Sequence, residues 1–413
     1  MRRALPPLTL AFVAATFVAG LVLDARGERL GTPLPPLLFD VDVRASAGWA
    51  LLAAALLAGS VLAAPRLRAL PAAGFAAALL AMALVTRLAV GAASRGPAAW
   101  DEVFDESFEA KNEYLPALPA LRDGTGWFLD RFAELVPALP PHAAGHPPGL
   151  LLTLHWLGID TPGAATALVV GFGVLAVPLT YLLARRVMDD ERARVAGLLA
   201  TFAPATTLYG VTSADALFAT LGVAAAALLL SRPFAGAAAL AVGSFFSYAL
   251  LAIGAWAALV RWGREGIRLA ATCAVVLVAF YLALFALTGF ELPSVLEATE
   301  EVYGNSVARL RPYEFWVFGS PAAFLAFLGL PIAWYAARAA GERHPVALAL
   351  AGVIVISAVG GFTKAETERI WLMYVPLACV AAAQVLPPRR VPLVLGLLAV
   401  QTLAVELLFG TVW

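Results

Sequence analysis

Runs of about 16–25 apolar residues recur along this 413-residue chain, and about 20 such residues are enough to cross the hydrocarbon core as a helix. Composition agrees: 62% of residues are hydrophobic and only 14% charged, with a mean hydropathy of +0.85. The fold expected is all-α, a polytopic transmembrane bundle of roughly 11–13 spans, forming a single membrane domain over residues 1–413. Candidate spans are 8–23, 46–64, 70–91, 163–184, 195–211, 213–231, 267–289, 316–338, 345–361, 369–386 and 391–411. The first follows Met1-Arg2-Arg3 and shows no small-residue cleavage site, so it reads as a span that stays rather than as a signal peptide. The apolar stretch 232–262 is too long for one span and suggests two short helices. Residues 146–158 are too short to cross, at roughly 20 Å as a helix.

Arginine and acid sort to different loops. With Arg2 and Arg3 placed inside and the spans alternating, the inner loops hold 16 of the 26 arginines and five of the 28 acids, as the positive-inside rule requires. Four segments then open outward: 92–147, 212–215, 290–315 and 363–369. The longest, 92–147, is an acidic extracytoplasmic loop with interfacial helices. Zero net charge and the lack of a Lys/Arg-rich block point away from nucleic acid. Cys273 and Cys379 both fall in apolar runs, which argues against a disulfide framework or a zinc site.

Within that loop "WDEVFDESFEAKNEYL" packs six carboxylates between Asp101 and Glu113. As a helix it would place Phe104, Phe108 and Leu115 toward lipid and Asp101, Asp105 and Glu109 along one other face. Like charges at that spacing repel, so a proton, a metal or a cation such as Lys111 is called for. A desolvated carboxylate can take a proton from a hydroxyl nucleophile, and a pair of them permits a divalent metal without requiring one. Further along, "PPHAAGHPPG" (140–149) stiffens the entry to an apolar helix whose N-terminus suits phosphate. His146 is the candidate there for touching substrate; His142 reads as a loop-carbonyl partner and His155 as a packing residue. In "FTKAETERIW" (362–371), Arg369 with Glu366 and Glu368 reads equally as a salt-bridged anchor at the membrane boundary or, together with Lys364, as a phosphate site. Asp215 reads as a helix N-terminal acid, and Glu297, Glu300 and Glu301 as a solvated helix face.

The order of these motifs resembles the GT-C class of membrane glycosyltransferases. Protein O-mannosyltransferases carry Asp-Glu-Val and later His-Pro-Pro-Leu-Gly; here stand "WDEV" (100–103) and "HPPG" (146–149), with Gly149 in the place of leucine. The following stretch resembles lipid-A aminoarabinose transferases and related prokaryotic members, the likeness covering about residues 95–210. The resemblance implies transfer of a hexose or pentose from a polyprenyl-phosphate-linked donor to an acceptor hydroxyl on a glycan, lipid or protein, at the outer face of the plasma membrane and within the cell envelope. It implies a loop acid as general base. Asp101 holds that role by the Asp-Glu-Val match, with Glu102 beside it, and Asp105-Glu106 repeats the pair. Substrate-binding candidates are His146, Lys111, Glu113, Lys364, Glu366, Glu368 and Arg369. The rival reading is a polytopic transporter or lipid flippase, which would set ionisable residues inside the spans. Few stand there: Arg87, near an outer end and expected to snorkel, and Glu406.

Overall fold

The computed structural model describes residues 4–105 and 107–411; Glu106 therefore lies outside the described residues. Helix accounts for 77% of the structure, with almost no strand, so the all-α expectation stands. Among the described residues six helices are long and apolar enough to cross a membrane: Leu5–Ala25, Ala47–Leu67, Ala72–Gly91, Pro162–Ala184, Gly263–Thr288 and Pro388–Leu408. The number reaches eight if Asp190–Phe202 with Pro204–Thr212, and Tyr313–Leu328 with Leu330–Gly341, are each taken as one span, bent by 54° and 112°.

Six to eight is fewer than the 11–13 expected, and the shortfall has a local cause. Hydropathy registers apolar length but not the breaks inside it. Between Leu328 and Leu330, Gly329 sits at φ +98°, a region that favours glycine, and the chain turns back there. Asp215–Leu229, at 15 residues, is about 22 Å long, short of a hydrocarbon core of about 30 Å. The stretch 232–262 does form two short helices, Pro233–Ser244 and Leu251–Arg261. Residues 146–158 yield one nine-residue helix, Gly149–Leu157.

Helices Asp190–Phe202, Pro204–Thr212, Asp215–Leu229 and Val375–Ala383 form the buried centre. Gly263–Thr288 instead turns nearly all its apolar surface outward. Close packing of small residues brings the central helices together: a Cβ on Gly173 would stand 2.7 Å from that of Ala216.

The two ends of the bundle carry different charge. Helix Ala72–Gly91 begins beside an arginine knot, where Arg194 pairs with Asp190 at 2.6 Å and donates to the carbonyls of Arg68 and Leu70. Arg68 pairs with Glu191 and Arg185 with Asp190 in the same knot. About 30 Å away along that helix, Gly91 leads into the acidic loop. The loop is folded and has its own apolar core. Tyr114, Phe128, Phe132 and Val136 pack with Leu150, Leu154, Phe218 and Phe290.

The continuous amphipathic helix considered over 101–115 does not form among the described residues. Residues 101–105 make turns, and only short 3-10 segments follow, Glu109–Lys111 and Leu115–Leu121. Stacked like charges disfavour a helix there. Val103 and Phe104 turn inward, while Phe108 is 82% exposed.

Candidate active site

The bend after Phe108 carries Glu109 and Glu113 inward, where both are buried. His142 lies between them, its Nε2 3.1 Å from Glu109 Oε1 and its Nδ1 3.3 Å from Glu113 Oε1. The loop-carbonyl role expected for His142 gives way to this bridge. Its backbone N–H also donates to the carbonyl of Asn112, fixing the "PPHAAGHPPG" segment against the acidic run. Burial works against the charged ring, but the field of Glu113 and the hydrogen bond to Glu109 prevail and raise its pKa.

His146, four residues on, faces the carbonyl of His142 through Nδ1 at 2.9 Å. Its ring stands 5.2 Å from Phe218 and 6.2 Å from Tyr114, and burial lowers its pKa. The helix that follows does not open an anion site at its first residue. The Gly149 N–H is taken by the Phe245 carbonyl, and a Cβ on Gly149 would come within 2.4 Å of that oxygen. Leucine, the residue of the mannosyltransferase motif, has no room there. His155 is exposed rather than packed.

The segment 363–369 meets this group from the other side. Arg369 pairs with Asp215 at 2.7 Å and Glu366 at 3.0 Å, and Arg311 pairs with Glu366 at 2.8 Å. Burial opposes the Arg369 charge, yet Asp215, Glu366 and Glu113 together raise its pKa. Burial likewise opposes ionisation of Glu366, and the two guanidiniums overcome it, holding the carboxyl below its usual range. Ala365 and Glu366 both occupy the left-handed region, at φ +66° and +60°. Two consecutive non-glycine residues there mark a backbone held by its surroundings, here by the Arg311 hydrogen bond to the Lys364 carbonyl at 2.7 Å. Tyr303 adds a hydroxyl that accepts from the Lys364 N–H.

Tyr114 closes the group. Its hydroxyl is buried without a hydrogen-bond partner among the described residues; burial raises its pKa first, and the charges of Glu113 and Asp215 add to that. Four carboxylates (Glu109, Glu113, Asp215 and Glu366) thus share one buried chamber with two guanidiniums and two imidazoles, His142 and His146.

Not every candidate from the sequence joins the chamber. Asp101 is half-buried and Asp105 exposed, and neither side chain makes an ion pair or hydrogen bond with the chamber among the described residues. Glu102 pairs with Arg95. Lys111 is exposed and Lys364 half-buried. Glu368 turns toward the Leu38 N–H, which donates to its Oε1 at 3.2 Å, and burial pushes its pKa up to about 7. Glu297, Glu300 and Glu301 are exposed on helix Leu292–Asn305, as a solvated face would be. Arg311 is the residue that sequence reasoning passed over, while Glu109, His142 and Asp215 were read in other roles. Asp215 did leave a signal, as a lone acid opening an apolar helix, and it is buried with an arginine from 154 positions away.

The divalent metal permitted by the acidic run has a candidate location among the described residues. Ligand atoms of Glu109, Glu113 and His142 all lie within 4.8 Å of one another. Their chemistry fits a proton better. As an imidazolium the ring donates from both nitrogens to the carboxylates and has no lone pair left for a metal; as a neutral ring it could join them as a ligand.

Comparison of the chain with family models, with curated proteins and with solved structures gave no match in any of the three.

Proposed function

We propose that the chain is a multi-pass glycosyltransferase of the plasma membrane, moving a sugar from a polyprenyl-phosphate-linked donor to an acceptor hydroxyl. One observation carries this reading: segments far apart in sequence, at 109–114, 142–146, 215, 311 and 363–369, converge in one buried charged chamber at one end of an apolar bundle. A lipid-phosphate donor needs such a junction, with a lipid-facing wall for its tail, guanidiniums beside its phosphate and a carboxylate beside the incoming hydroxyl. The arginine knot at the far end suits the cytoplasmic side, which supports an extracytoplasmic position for the chamber.

In the transfer step the acceptor oxygen bonds to the anomeric carbon, and the bond from that carbon to the polyprenyl phosphate breaks with its electron pair. The hydroxyl proton passes to a carboxylate. Polyprenyl phosphate is a good leaving group, so one base is enough and a second carboxylate acting as acid is not needed. Glu113 is the base assigned here in preference to Asp101, because it alone of the two stands near Arg369, the group assigned to the donor phosphate. Arg369 and Arg311 offset the phosphate charge, and Lys364 stands on the same segment.

The test is transfer by the purified full chain in proteoliposomes, using a panel of polyprenyl-phosphate-linked hexoses and pentoses. Wild type is expected to transfer at least one of these sugars, and Glu113→Gln to lose about 10²-fold or more. Wild-type protein inert toward every donor would overturn the assignment. The bends of 54° and 112° within two helix pairs favour a second reading, a transporter or lipid flippase with discontinuous helices. That reading requires movement of a lipid-linked sugar across the bilayer with no new glycosidic bond.

A further inference from the structure

Arg87 was expected to snorkel from helix Ala72–Gly91 toward water, and it does not: it is 1% exposed. Its Nε and Nη1 are buried without hydrogen-bond partners among the described residues. Asp215, an acid of the chamber, is committed to Arg369 at 2.7 Å. A guanidinium inside an apolar bundle without a counter-charge costs several kcal/mol, so an arginine held there calls for a compensating group.

The surroundings are shaped to hold one. The side chain passes directly over Gly210, where a Cβ would fall 2.7 Å from both Cδ and Nε of Arg87; only glycine leaves that slot open. Arg87 lines a partly open cavity together with Gly173, Thr180, Thr206, Ala216 and Leu372. The cavity has room for about one water-sized guest. Its walls offer a threonine hydroxyl from each of two helices and no carboxylate. The Thr180 hydroxyl donates to the Ala176 carbonyl at 2.7 Å, which leaves Thr206 as the hydroxyl that can turn toward a guest. A single water could satisfy an N–H but could not neutralise the charge. A phosphate or a carboxylate is too large for the space. A halide is only slightly larger than water and carries the required sign.

We propose that this cavity is an anion site in which Arg87 and Thr206 hold one halide-sized monovalent anion, chloride in class, as the counter-charge of the buried guanidinium. The site is separate from the chamber and does not depend on the transferase reading. Its function is to hold Ala72–Gly91 against the central helices Pro204–Thr212 and Asp215–Leu229, below the turn that leads to Trp100.

The experiment is a halide series on the purified full chain in detergent. Thermal unfolding is compared in sodium chloride, sodium bromide and sodium gluconate at equal ionic strength, and anomalous diffraction is collected from bromide-grown crystals. The halides are expected to raise the wild-type Tm by a few degrees over gluconate, with a bromide peak beside the Arg87 guanidinium. Arg87→Met, which removes the charge but keeps an unbranched stem, is expected to lose the halide dependence. If that variant does not fold, the wild-type series decides alone. Equal Tm in gluconate and halide, together with no bromide peak at Arg87, would overturn the site; so would a water there in place of bromide.

Discussion

Asp105 and Glu109 stand four residues apart in one acidic run, yet the first is exposed and the second is buried against His142. Up to Asp105 the carboxylates lie in turns, and the one ion pair shown is that of Glu102 with Arg95, partly exposed on both sides. From Glu109 onward the chain bends inward, and Glu113 reaches the electrostatic neighbourhood of Arg369. Residue type is the same in both halves; the difference is what each half is brought to face. A surface acid finds water. A buried acid must find cations, and here they come from segments 29 and more positions away.

The largest contrast between the halves is expected in stability. Arg369→Met leaves Asp215 and Glu366 buried beside a lost counter-charge, and breaking a buried pair costs about 3–5 kcal/mol. Arg95→Met, which strips the exposed half of its one arginine, is expected to cost no more than about 1 kcal/mol. Thermal unfolding of the two variants side by side checks this, and equal losses would erase the distinction between the halves.

A smaller effect is expected in pH dependence. The pKa of His142 is raised in the folded chain, so the bridge to Glu109 and Glu113 contributes stability that is fully present below the unfolded histidine value of about 6.5. That contribution is lost as pH rises through the higher folded value. Wild-type Tm should therefore fall relative to His142→Gln as the buffer is taken upward from about pH 6.5. Parallel curves for the two proteins would show that the ring is not held as an imidazolium. The smallest effect belongs to Asp105→Asn, which is expected to stay within about 0.5 kcal/mol of wild type; a larger loss would mean that the exposed half carries structural weight.

Much of the fold was legible in the sequence because apolar length is a local property. The spans 8–23, 70–91, 163–184 and 267–289 reappear as helices within a few residues of their expected ends. Helix breaks were less legible. Gly329 looks like any other glycine in an apolar run until Leu398 is seen to pack where its Cβ would be, 2.3 Å away. At the chamber, the segments 101–116, 140–149 and 362–371 were each marked by charge or by proline, but their partners were not. His142 bridges two glutamates that precede it by about thirty residues, and Arg311 finds Glu366 55 positions on. Such pairings follow from how helices pack, which no local pattern encodes.

The most direct measurement compares sugar transfer by Glu113→Gln with that by the Asp101→Asn/Asp105→Asn double variant, in proteoliposomes with one active polyprenyl-phosphate donor and with folding verified for each. If the buried half holds the base, Glu113→Gln loses about 10²-fold or more, while the double variant stays within a few-fold of wild type. Full activity in Glu113→Gln with loss in the double variant would contradict this and return the base to the exposed half.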